Sequence, residues 1–154
     1  MSGINMSPPG TTAIPPRAVE ITGAGTQTLT VTPTALNLGT EVNGDPDFTS
    51  AAGVVTYNGF GGSYFLHYSV NADATTGVRS DAFFEIYVNG LGIPRSRRNS
   101  YHRTAADGEA SASARILLTL APGDTLEVRG AEEAAGDNID VLLAESNFLI
   151  EERA

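Results

Sequence analysis

From Gln27 onward the chain reads as short stretches in which apolar and polar residues alternate, separated by Gly, Asp, Asn and Pro. A period of two puts successive side chains on opposite faces, so each stretch predicts a half-buried β-strand. Eight strands are predicted, over 27–32, 35–42, 53–57, 63–71, 82–89, 112–120, 124–130 and 139–150. In SYFLHYSVN, Tyr64, Leu66, Tyr68 and Val70 share one face, and Phe65, His67 and Ser69 the other. In AFFEIYVN, Phe84, Ile86 and Val88 oppose Phe83, Glu85 and Tyr87. Asn89-Gly90 predicts a tight hairpin pairing FEIYV with LGIP, because both central residues of a type I′ turn need positive φ. Pro122-Gly123-Asp124 predicts a second turn. No stretch has a helical period, so the pattern gives an all-β domain: a sandwich, a barrel or a jelly roll.

Residues 1–26 have a different texture, with four of the eight prolines (Pro8, Pro9, Pro15, Pro16) among small and polar residues. Proline disfavours helix and central strand alike, so the segment reads as an extended arm preceding a jelly-roll domain at 27–154. Ile4, Met6, Ile14, Val19 and Ile21 make the arm more apolar than a solvated linker needs, and they fit an arm laid against another chain. A frayed terminus is the plainer alternative.

The 154 residues suffice for one core without metal or disulfide, and there is no cysteine. Net charge is −9, with all nine cationic residues arginine, which argues against nucleic acid and anionic membrane as partners. The N-terminus lacks the basic-then-apolar pattern of a signal peptide, and the expectation is a protein made in the cytoplasm. Against this acidic background Arg95, Arg97, Arg98 and Arg103 crowd just past the hairpin. Two readings fit them: a docking cluster for an acidic surface, or pairs with nearby acids such as Asp107 and Glu109, within a subunit or between subunits.

In order, GVVTYNGFGGSYFLHYSV, FFEIYVNGLGIPRSR, SASARILLTLAPGDTLEVRG and IDVLLAESNFLIEE resemble the tumour necrosis factor and complement-globular-head superfamily of jelly rolls. The resemblance covers roughly 27–152. It implies an antiparallel jelly-roll sandwich of about eight strands that assembles as a homotrimer through an aromatic-rich sheet, with Phe65, Phe83 and Tyr87 at the trimer interface. Similar jelly rolls occur as bacteriophage head decoration (cement) proteins and as fibre tips. The sequence shows no collagen-like stalk, so the closer likeness is a decoration protein on the capsid exterior of a virion, its partner the major capsid protein. The alternative is a fibre-tip or receptor-binding domain recognising host glycan or protein.

Candidate chemistry is sparse. The two histidines, His67 and His102, form no His-x-His pair, and Ser69 near His67 has no third partner for a triad. The glycine clusters 23–25 and 59–62 lack the lysine of a phosphate-binding loop. Glu132, Glu133, Asp137 and Asp140 are candidates for calcium, although their spacing matches no EF-hand and a solvated loop is the simpler account. No enzyme activity and no cofactor are expected.

Overall fold

The computed structural model describes residues 16–76, 79–104 and 108–153. Among these, the strands in chain order are β1 Ala18–Thr22, β2 Thr26–Thr28, β3 Thr34–Ala35, β4 Thr40–Gly44, β5 Phe48–Ala51, β6 Val54–Tyr57, β7 Gly62–Ala74, β8 Ser80–Val88, β9 Leu91–Gly92, β10 Arg98–His102, β11 Glu109–Leu120, β12 Thr125–Glu132, β13 Ile139–Leu142 and β14 Asn147–Glu152. They form two antiparallel sheets, as a jelly-roll sandwich requires. The first runs β2-β13-β7-β14-β1-β4, with β11 on the free side of β7; the second runs β10-β8-β12-β6-β5, with β3 beside β12 and β9 beside β8.

The alternation seen in the sequence sets the inner faces. Tyr64, Leu66, Tyr68 and Val70 of β7 are fully buried, as are Phe84 and Ile86 of β8, Val55 and Tyr57 of β6, and Leu126 of β12. The Asn89-Gly90 hairpin forms as expected, with φ of 52° and 79°, and Val88 pairs with Leu91. Gly123, at φ 89°, turns the chain from β11 into β12. The long stretch 139–150 is interrupted: a 3-10 turn at Leu143–Glu145 divides it into β13 and β14, both paired to β7. β10 has little apolar alternation and comes from the arginine-rich stretch, where no strand is predicted.

The arm boundary at residue 26 is corrected by the structure. Val19 and Ile21 are fully buried in β1, which is paired on both sides in the first sheet, between β14 and the edge strand β4. The stretch AVEIT alternates like any other strand; its proline-rich neighbours, ending at exposed Pro16, mask that signal. Ile4, Met6, Pro8, Pro9, Ile14 and Pro15 lie outside the described residues.

Two buried tyrosines join the sheets by their hydroxyls. Tyr64 donates to the Tyr57 hydroxyl at 3.1 Å, and the Tyr68 hydroxyl lies 3.0 Å from the Phe84 carbonyl and 2.8 Å from that of Ser96. Burial raises both phenols above the ordinary value of 10.0, and the neighbouring Tyr57 raises Tyr64 further.

Replacing Ile21 by Ala is expected to cost about 2–5 kcal/mol through the cavity left behind, read as a lower chemical-denaturation midpoint. A raised phenol keeps its proton longer in the folded than in the unfolded chain. The tyrosine contribution is therefore complete below pH 10 and is lost as pH rises beyond it. Thermal scans should show Tm falling above about pH 10, with a shallower fall for Tyr68→Phe than for the parent.

Candidate interaction surface

The buried Ser96 controls where the arginine cluster points. It ends the 3-10 turn Pro94–Ser96, its Oγ accepts from the Ile86 N–H at 2.9 Å and donates to the Ile93 carbonyl at 2.7 Å. With Tyr68 on its carbonyl, the turn is pinned to β8, and Arg95, Arg97 and Arg98 project outward. Arg95 donates to the Leu117 carbonyl of β11 at 2.8 Å, and Arg98 to the carbonyls of Arg95 and Arg97 at 3.2 and 2.6 Å. Arg97 pairs with Glu133 at 3.1 Å. Its acid partner is therefore Glu133, neither of the acids suggested by sequence proximity; Asp107 lies outside the described residues. Arg103 is exposed past the end of β10.

Each outward aromatic of the proposed trimer interface lies under an arginine. The Arg97 guanidinium is 3.6 Å from the centre of the Phe83 ring, Arg115 is 3.8 Å from that of Phe65, and Arg129 is 4.4 Å from that of Tyr87. Arg129 also pairs with Glu127 two residues earlier, at 2.5 Å. The three aromatics do not form one patch. Phe65 is on the outer face of the first sheet, whereas Phe83 and Tyr87 are on the outer face of the second, so a single flat interface cannot contain all three. The sequence showed the alternation within each strand but not which sheet each strand would join.

On the first sheet, the register sets Leu117 beside Phe65 and Phe65 beside Glu151, with Arg115 beside His67 and His67 beside Leu149 in the next row. Phe65, His67, Arg115, Leu149 and Glu151 line a shallow depression of about 50 Å³. His102 is fully buried, with Ser100 Oγ 2.9 Å from Nε2 and the Gly108 carbonyl on Nδ1, so it serves as a strand-end tie. The four candidate calcium acids take partners within the protein: Glu132 accepts the Asn138 N–H, Asp137 accepts those of Ala134 and Asp81, Asp140 accepts the Thr28 hydroxyl, and Glu133 pairs with Arg97. Among the described residues, no group of three His, Asp or Glu side chains is placed to hold a metal ion.

Sequence reasoning passed over Phe60. It is 97 % exposed, within the glycine cluster 59–62. A lone aromatic bracketed by glycines was the available signal.

No protein-family model matches the chain, and no curated protein matches it by sequence. Solved structures do. Eiger TNF from S. frugiperda has 16% identity and a TM-score of 0.64, over 92% of this chain and 94% of that one. The globular domain of zebrafish complement 1qA has 12% identity and a TM-score of 0.60, over 90% and 98%. Murine APRIL at pH 5.0 has 11% identity and a TM-score of 0.55, over 90% and 99%. At these identities the likeness is one of fold: a jelly roll like those of tumour necrosis factors and complement globular heads.

Because Arg97 covers Phe83, reversing its charge affects more than solvation. Arg97→Glu places a carboxylate beside Glu133 and over the negative ring face, and should cost about 1 kcal/mol. Arg103→Glu should leave Tm unchanged within about 1 °C. Differential scanning calorimetry of the two variants checks this.

Proposed function

We propose that the chain is a non-catalytic structural protein: a homotrimer, assembled through the outer face of the first sheet, that decorates and stabilises a phage head by binding the major capsid protein on the capsid exterior. The observation that carries the trimer is the Phe65, Leu117 and Leu149 surface, in which Arg115 and Glu151 have no salt bridge among the described residues. Such a face leaves complementary charges and apolar area for a copy of itself. Phe83 and Tyr87 are not part of this interface. The decoration role is supported by a compact jelly roll, an acidic body, a segment 1–15 rich in proline and spaced apolar residues, and little machinery for chemistry. Three weak attachments on one trimer would combine into tight binding without a deep pocket.

Size exclusion with light scattering should report about three chains for the parent, and a lower mass for Leu117→Asp, whose side chain is exposed in the single chain. Heads stripped of the chain should regain it from solution, and removing residues 1–15 should lower occupancy without altering trimer mass. A monomeric parent overturns the trimer. A trimer that does not bind heads but does bind host glycan or host surface protein moves the assignment to a fibre tip.

A further inference from the structure

One end of the sandwich combines features that neither sheet face shares. The loop after β6 presents Phe60 at 97 % exposure, and the β8–β9 hairpin presents Leu91 at 72 %. Their loops join through a third: the Gly123 N–H donates to the Tyr57 carbonyl at 2.6 Å, and Asn89 Nδ2 donates to Asp124 Oδ1 at 2.8 Å. The polypeptide also enters the domain here. Arg17 pairs with Asp47 at 2.7 Å, and the Asn58 N–H donates to the Asp47 carbonyl at 2.7 Å.

The Phe60 loop is held in place from within. The Gly61 N–H donates to the Tyr57 hydroxyl at 3.0 Å, and that hydroxyl also accepts from buried Tyr64. At position 59 a Cβ would come within 2.4 Å of the Tyr57 hydroxyl, and Gly61 has φ of 96°. The chain thus accepts conformational restriction and close glycine packing around a phenyl ring that contacts almost nothing of its own fold. A ring on a fixed loop loses little freedom on binding, the property of an anchor residue.

We propose that Phe60 is a docking knob that enters an apolar socket, about one ring wide, in a protein partner. Asp124, whose carbonyl accepts the Tyr57 N–H beneath the Phe60 loop, forms no salt bridge with a described residue, and Asp47 holds Arg17, so the socket's rim should carry basic or N–H donor groups. Arg153, its backbone N–H on the Ser63 carbonyl, adds one cation to this end of the domain. The same acids disfavour an anionic lipid surface, and two apolar side chains supply little membrane affinity. Naming the socket's owner as the capsid protein rests on the decoration reading above; the knob itself does not.

The test replaces Phe60 by the photoreactive p-benzoylphenylalanine in the full chain, with Val31, 51 % exposed near the opposite end, replaced likewise as control. Irradiation in the producing cells, followed by mass spectrometry, should give one dominant adduct with a different protein from position 60 and none from position 31. Purified, that protein should bind Phe60→Ser at least tenfold more weakly than the parent, about 1.4 kcal/mol, with trimer mass and Tm unchanged. An adduct with capsid protein supports knob and decoration together. An adduct with another protein, weakened by Phe60→Ser, keeps the knob and removes the decoration reading. Adducts only with lipid or with further copies of this chain, no adduct above the control, or Phe60→Ser binding within twofold of the parent, overturn the knob.

Discussion

A tyrosine buried in a sandwich must deliver its hydroxyl to a partner, and in this fold that need fixes much else. Tyr64 and Tyr68 alternate on the inner face of β7, the strand that pairs with β11, β13 and β14. Their rings span the core and their hydroxyls reach groups of the second sheet. With no cysteine, the two sheets are joined by apolar packing and these polar ties rather than by a disulfide. An unpaired hydroxyl at that depth would cost about 1–3 kcal/mol, so the positions of Tyr57, Phe84 and Ser96 are constrained by chemistry as well as by shape. The constraint propagates outward: Tyr68 pins the turn that aims the arginines, and Tyr57 holds the loop that exposes Phe60.

The same strands explain how an acidic chain carries aromatics on its outer faces. Lacking lysine, it has only guanidinium cations, which lie flat on rings and still donate hydrogen bonds at their edges. Arg97 covers Phe83 while holding Glu133, and Arg129 covers Tyr87 while holding Glu127. The two outward rings of β8 are therefore covered by the chain's own guanidinium groups, while Tyr101 of the edge strand β10 stays 50 % exposed. Arg115 covers Phe65 but meets no acid in a salt bridge among the described residues, and Leu117 beside it stays 36 % exposed. That difference between Phe65 and the β8 rings is why the first sheet is the face proposed for self-association.

Much of the fold was legible because alternation survives wherever one face of a strand is buried. The strands β7, β8, β11 and β12 and the all-β class follow from it, the tight hairpin follows from Asn89-Gly90, and the jelly roll itself from the resemblance of the four ordered segments. What failed shares one physical cause: sequence gives the face of a side chain within its strand, not the partner of that strand. Phe65 and Phe83 look equivalent along the chain and end on opposite sides of the molecule. Arg97 finds Glu133, distant in sequence, in place of the nearer Glu109. Val19 and Ile21 were hidden by composition, since prolines on one side and glycines on the other made a central strand resemble a tail.

The two ends of the sandwich differ in what they do with their polar groups. At the end containing His102, Asp137 and Glu132, ring nitrogens and carboxylates take up loop N–H groups, hydroxyls and carbonyls. At the other end the loops satisfy one another through Asn89, Asp124 and Tyr57, which leaves Phe60 and Leu91 outside the network. A loop network that is complete without its most exposed ring does not need that ring for folding. The residue is then free to be chosen for something beyond the fold, and because the chain enters the domain at that end, residues 1–15 connect to the domain beside the knob. Tethered knob and segment, even if each is weak, would reinforce one another on a common surface through effective concentration.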